Sequence, residues 1–407
     1  MTQTFAFRQV QVFDGVRMIP HDTVLVQDGR ITATGSDLVL SDETHIIHGT
    51  GQTLLPGLID AHAHVLGSAL RQALLFGVTT ELDMANDVRL IQALKRQLET
   101  EQGLEMAALR SAGCSATVPG GHGTEYGGKP PTLTSPDEAQ VFVDARISEG
   151  SDYIKIMYDD GRTVGRKIPT LSKETMAAVV EAAHLRGKLA LAHILALQDA
   201  RDALEAGADG LAHLFVDRVP DPEFGAFVAA HHAFVIPTLT ILELLCKEPA
   251  ALSLLSDTRL APYLSQDDIS FIQRFQQFDP SAASPDSSSV LSYTAAVESV
   301  RQLKAAGVPI LAGTDSLYAL HGVSMHREME LLVLAGLSTV EALAAATSVP
   351  ATIFGLSDRG RITPGMRADL FLVQGDPTND ITATRNIVGV WKLGIPTHRQ
   401  PRSLSFK

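Results

Sequence analysis

Between about residues 54 and 365 the chain alternates short apolar runs with amphipathic segments, and this rhythm constrains its fold more than any other feature. Eight runs read as strands: Leu54–Val65, Thr79–Met84, Glu105–Ser111, Tyr153–Tyr158, Leu189–Ile194, Gly210–Phe215, Phe234–Ile241 and Val308–Asp315. Helix-like stretches follow most of them, among them Ser135–Glu149, Ser172–Arg186, Leu195–Ala206 and Asp221–Ala230. Ser172, with Thr175 close behind it, and Ser135, ahead of Pro136-Asp137-Glu138, are suited to cap helix N-termini. Strands that alternate with helices build parallel sheet, because a parallel connection needs a long crossover. Eight such units predict an α/β fold of the (β/α)8 TIM-barrel type. The alternative is an open doubly wound sheet, and no GxGxxG follows the first strand to favour it.

The two ends have a different texture. Residues 1–56 show loose alternation over Phe5–Phe13 and Thr23–Thr34, with turns at Asp14-Gly15 and Asp28-Gly29-Arg30. The C-terminal stretch repeats it in Asp369–Val373, a Gly375-Asp376-Pro377 turn, and Ile387–Lys392. The expected division is therefore residues 1–56 with 366–407 as a β-rich unit, and 57–365 as the barrel. An insertion at about 242–289 interrupts the rhythm after the seventh strand and ends in the Ser/Pro/Asp tract Phe278–Ser287. Barrel active sites lie on the face where such a loop emerges, so it reads as either a lid or a surface excursion.

Composition excludes some classes of function. The 33 basic and 46 acidic residues of the 407 give a net charge of −13, the wrong sign for a nucleic-acid surface. No apolar run is long enough for a transmembrane helix and no signal-peptide pattern opens the chain, so a membrane role is not expected. Two cysteines, Cys114 and Cys246, make no disulfide framework, which suggests a reducing, cytoplasmic location.

The 14 histidines become informative through their positions. Asp60-Ala61-His62-Ala63-His64 ends the first strand, and residues two apart in a strand point to one side. His62 and His64 therefore present two imidazoles, good zinc ligands, to one space. Lys155 lies in the apolar run Tyr153–Met157, where a charge is costly. His193, His213 and Asp315 end the fifth, sixth and eighth strands. Any one of these could be a core residue with a satisfied hydrogen bond. Five strands with metal-competent ends on one barrel face point to a metal site.

Pro56–His64, Lys155, His193, His213 and Ala312-Gly313-Thr314-Asp315 together resemble the amidohydrolase superfamily, over nearly the whole chain. The segment Arg361–Leu370 is similar to the one by which that family returns from barrel to a small β-sandwich built from both termini. The resemblance implies a site for two divalent metal ions, most simply zinc. His62, His64 and Asp315 would hold one ion, His193 and His213 the other, and Lys155 would bridge them. An ammonium has no lone pair, so that role requires a carbamate formed from Lys155 and carbon dioxide. A plain lysine of depressed pKa is the other possibility. The family's chemistry is attack by a metal-bridging hydroxide on a carbonyl, with Asp315 carrying the proton to the leaving amine. One-metal deaminases of the superfamily place a glutamate three residues after the fifth-strand histidine, where this chain has Ala196.

Val118-Pro119-Gly120-Gly121-His122-Gly123 resembles the loop of prolidase-like and carboxypeptidase-like members in which the histidine contacts substrate. Tyr158 and His321 are further substrate-facing candidates, while His326, His231 and His232 read as structural. The expected activity is hydrolysis of an amide in a dipeptide or N-acyl amino acid. Lactones, lactams, carbamates, xenobiotic amides, deamination and a non-catalytic metal-binding barrel are the alternatives. A small-molecule substrate and, from the resemblance, a homo-oligomer are expected.

Overall fold

The computed structural model describes residues 4–125, 129–277, 291–316 and 319–402. The strands of the middle region are almost continuously buried, as expected of parallel strands covered on both faces. Leu58–Ala63, Val78–Asp83 and Ala108–Ser111 form one parallel sheet. Ile154–Met157, Ala190–His193, Gly210–Ala212 and Phe234–Ile236 form a second. Parallel bridges join Ala116 to Ile156, Val235 to Ile310, and Ala63 to Ser316. Backbone bonds follow the same path: Ala116 N to Lys155 O at 2.8 Å, Val235 N to Pro309 O at 3.0 Å and Ala61 N to Ala312 O at 2.9 Å. The result is a mixed α/β fold. Ile59, Ala61, Leu82, Leu191, Ile236 and Leu311 pack together in one core, and a larger core lies between the strands and their helices.

The expected helices form at Ala139–Ser148, Lys173–His184, Leu197–Glu205 and Phe224–Ala230. Ser172 Oγ accepts from Thr175 N at 3.1 Å. Ser135 and Glu138 form a capping box. Strands from both ends interleave in a six-stranded sheet, ordered Ile395–Pro396, Ile387–Lys392, Leu370–Gln374, Gln52–Pro56, Gln11–Phe13, Met18–Ile19. With a four-stranded sheet from the N-terminal segment it encloses a separate core that includes Phe5, Phe7, Val24, Leu54, Leu370 and Trp391.

The expected strands differ in their limits, and Gly210–Phe215 stops at Ala212. Leu54–Val65 breaks at Gly57 into two strands belonging to different sheets. A Cβ at Gly57 would lie 2.3 Å from the Thr79 side chain, so the chain can make this passage only without one. Glu105 ends a 3-10 turn, and its strand begins at Ala108. Phe234–Ile241 stops at Ile236, and Leu239–Leu245 is helical. Val308–Asp315 pairs through isolated bridges rather than a continuous ladder, and the backbone at Asp315 is left-handed.

The insertion at 242–289 begins inside the helix Leu239–Leu245. Its described part is packed: Leu254, Leu260 and Leu264 are buried with Phe76, Leu320 and Val323. Asp268 Oδ1 accepts from Leu320 N, fastening the helix Gln266–Gln277 to the segment after Asp315. The Ser/Pro/Asp tract lies outside the described residues. No helix among the described residues is long and apolar enough to cross a membrane.

Candidate metal centre

The strand ends bring His62, His64, Lys155, His193, His213 and Asp315 into one neighbourhood. The His62 ring lies 4.6 Å from the His213 ring and 5.5 Å from that of His64, and His193 lies 4.6 Å from His213, centroid to centroid. Asp315 Oδ1 is 3.1 Å from His64 Nε2 and 3.3 Å from His62 Nε2, and Oδ2 is 4.0 Å from His213 Nδ1. His213 and Asp315 both have left-handed backbone, φ +79° and +55°. Such a conformation costs a non-glycine residue about 1–3 kcal/mol and persists where its surroundings enforce it. Here His213 N donates to Ile236 O at 2.9 Å, and Asp315 N to His62 O at 2.7 Å.

Burial decides the charge states. It pushes His62 down to about 3, helped by the charge of Lys155, and His193 down to about 4, helped by His122. It holds His213 well below the ordinary histidine value. These rings are neutral at physiological pH and keep a lone pair for a ligand bond. Burial also pulls His64 down, but the Asp315 carboxylate outweighs it and raises the ring. Burial opposes ionisation of Asp315 too, and the His62 and His213 imidazoles overcome it, so its carboxyl titrates well below the usual range. Lys155 is pushed by burial down to about 7.

The donor set fits a metal. Among the described residues, His62 Nδ1 and Nε2, Lys155 Nζ, His193 Nε2 and Asp315 Oδ1 are buried without a hydrogen-bond partner, where buried polar atoms are ordinarily paired. His62, His213 and Asp315 each offer a ligand atom within 4.8 Å of the other two. His64 Nδ1 bonds the Ala85 carbonyl at 2.9 Å, so Nδ1 carries a hydrogen, and in the neutral ring Nε2 is a bare acceptor facing Asp315. Two acceptors at 3.1 Å need a proton or a cation between them. The resemblance groups His213 with His193; the geometry also sets it against His62 and Asp315.

Of the substrate-facing candidates, His122 reaches the centre. Its ring stacks on that of His193 at 4.5 Å and 27°, and its Nδ1 lies 3.0 Å from Glu125 Oε1. The Tyr158 hydroxyl donates to Asp202 Oδ2 at 3.2 Å, toward the helix Leu197–Glu205. His321 is 3% exposed, with Nδ1 3.1 Å from Glu81 Oε1. His326 is buried between Phe76 O and Thr384 Oγ1, and His231 bonds Phe227 O, both in structural roles.

Several supporting residues escaped the sequence reading. Asp60 accepts from His62 N, Thr314 N and Thr314 Oγ1 at 3.0, 3.0 and 2.6 Å, tying the first strand end to the eighth. Burial and the neighbouring Glu81 push its carboxyl up to about 7. Asp83 accepts from Val65 N, Asn86 Nδ2 and Ser111 Oγ. Asp159 Oδ2 lies 3.8 Å from His193 Nε2. Each is an acidic residue in or beside an apolar strand, the same signal that identified Lys155. Asp60→Ala leaves three buried donors without an acceptor and is expected to cost about 3 kcal/mol, read as a lower midpoint in denaturant unfolding.

A model of the amidohydrolase family matches residues 53–396. The chain belongs to the amidohydrolase family. It is a hydrolase acting on carbon–nitrogen bonds, and its relatives place it in the prolidase-like branch. An imidazolonepropionase from Cereibacter sphaeroides is 26% identical, over 96% of both chains. Among solved structures, a prolidase-like protein from Bifidobacterium longum is 28% identical with a TM-score of 0.74, over 98% of this chain and 95% of that one. A solved amidohydrolase is 25% identical with a TM-score of 0.76, over 98% and 100%.

Proposed function

We propose that this amidohydrolase cleaves the amide of a dipeptide or N-acyl amino acid at a centre of two divalent metal ions, with zinc the simplest choice. His62, His64, His193, His213 and Asp315 would hold the ions, joined by a carboxylated Lys155. The parallel strands would form a (β/α)8 TIM barrel over residues 57–365, and residues 1–56 with 366–407 a composite β-sandwich. The observation that carries the reading is Lys155. Its amine is fully buried, has no hydrogen-bond partner among the described residues, and is pushed to about 7, so a large neutral fraction is ready to react with carbon dioxide. A one-metal deaminase would leave that amine without a task. At its glutamate position stands buried Ala196, just ahead of the helix Leu197–Glu205.

Bound divalent ions would acidify a water molecule and polarise the substrate carbonyl. The chain's own residues supply the rest. Asp315 is ionised and central among the histidines, and it takes the proton of the attacking water and passes it to the leaving amine. His122, stacked on His193, is the side chain placed to touch the substrate near the reacting carbonyl. The two unpaired cysteines favour a reducing, cytoplasmic location.

The test is a hydrolysis screen of metal-loaded protein with dipeptides, N-acyl amino acids, lactones and an imidazolone. Turnover of linear amides is expected. Turnover of rings alone would reject the substrate class, and the imidazolonepropionase relatives make the imidazolone the informative control.

A further inference from the structure

We infer that Thr238 is a positioning residue that locks His213 in one tautomer, with Nδ1 protonated and Nε2 bare, so that Nε2 is the atom offered to an ion. The inference rests on the metal-centre reading above and adds a residue to it. His213 Nδ1 lies 2.7 Å from Thr238 Oγ1, and both side chains are buried. The same hydroxyl donates to the Pro237 carbonyl oxygen at 2.8 Å. A carbonyl brings no hydrogen, so the single hydroxyl hydrogen is committed there. Toward His213, Oγ1 can only accept, and Nδ1 must be the donor. The His62 and His193 rings, each at 4.6 Å, confine the imidazole and oppose a ring flip that would exchange the two nitrogens.

The hydroxyl is held in place from behind. Thr238 has left-handed backbone at φ +50°, an unfavourable conformation for a β-branched residue. Glu328, on the helix Val323–Leu334, fastens the next two residues: its carboxylate accepts from Leu239 N at 3.0 Å, Thr240 N at 2.8 Å and Thr240 Oγ1 at 2.8 Å. Those bonds take up two of the free N–H groups in the first turn of the helix Leu239–Leu245, which starts directly after Thr238. A carboxylate on one helix thereby fixes a strained turn, the turn aims a hydroxyl, and the hydroxyl selects the nitrogen. A partner of this kind typically changes metal affinity by roughly 10–100-fold.

Two measurements test it. Nitrogen-15 spectra of metal-free wild-type protein labelled at histidine should show His213 protonated at Nδ1 and bare at Nε2; the opposite tautomer overturns the inference. Zinc affinity by chelator competition, with stoichiometry by mass spectrometry, should fall roughly 10–100-fold for one ion in Thr238→Val. Thr238→Ser should restore it, since it keeps the hydroxyl. Wild-type affinity for two ions in Thr238→Val overturns the inference while leaving the two-ion reading intact. If wild-type protein binds fewer than two ions, the two-ion reading fails by itself, and the tautomer still decides the role of Thr238. The spectra need no variant, so poor folding of Thr238→Val leaves the test standing.

Discussion

Asp315→Asn is expected to lower kcat by about 10²- to 10⁴-fold while the protein retains most of its metal. The amide keeps the size of the carboxylate and an oxygen that can still face the histidines. It cannot take up a proton and release it. Because the His62 and His213 imidazoles hold the Asp315 carboxyl well below the usual range, the wild-type group is already ionised across the physiological range. Its own protonation therefore does not set the acid limit of activity near neutrality. Steady-state kinetics beside metal analysis separates the outcomes. Full activity in Asp315→Asn would falsify the proton-carrying role, and loss of all metal would make Asp315 chiefly a ligand.

Lys155→Met should abolish turnover and reduce the bound metal, yet stabilise the metal-free protein. The methionine fills the apolar space of the lysine stem and brings no charge into it. In metal-free wild-type protein the amine titrates near 7, against 10.5 for the free side chain. Between those values the unfolded chain binds a proton that the folded chain releases, so stability rises with pH over that window and levels off below about 7. The full effect is on the order of 5 kcal/mol. Melting curves of metal-free protein in buffers free of carbon dioxide should climb from pH 7 to 9 in wild type and stay flatter in Lys155→Met. Equal slopes would mean that the amine is not the titrating group. Adding bicarbonate during metal loading should speed recovery of activity in wild type alone, which tests the carbamate directly.

The candidate ligands were legible in the sequence because each is defined by position along a single strand. The two-residue spacing of His62 and His64 follows from the strand repeat, and Lys155 stood out as a charge in an apolar run. His193, His213 and Asp315 ended their runs as expected and meet across the sheets. His122 stood out through the glycines around it, and its ring stacks on that of His193. His321 was harder to read. It is buried beside Glu81, which lies 240 positions earlier, and nothing local announces the pair.

Alternation, ligand types and spacing are local properties, and the sequence by itself determined them: a mixed α/β chain, β-rich ends, and a row of histidines, a lysine and an aspartate at strand ends. The tertiary structure decided where one apolar run had to divide. The passage between two sheets falls at Gly57, where the Thr79 side chain occupies the space a Cβ would take. It also decided which charges survive burial, as Asp60 near 7 and His62 near 3 follow from neighbours that the strand repeat does not specify. Thr238 is the clearest case. Within an apolar run it looked like ordinary strand, and only the approach of Glu328 and His213 from distant parts of the chain makes its hydroxyl a part of the site. Hydrogen-bond partners act over about 3 Å in space, whereas sequence patterns report only on neighbours along the chain.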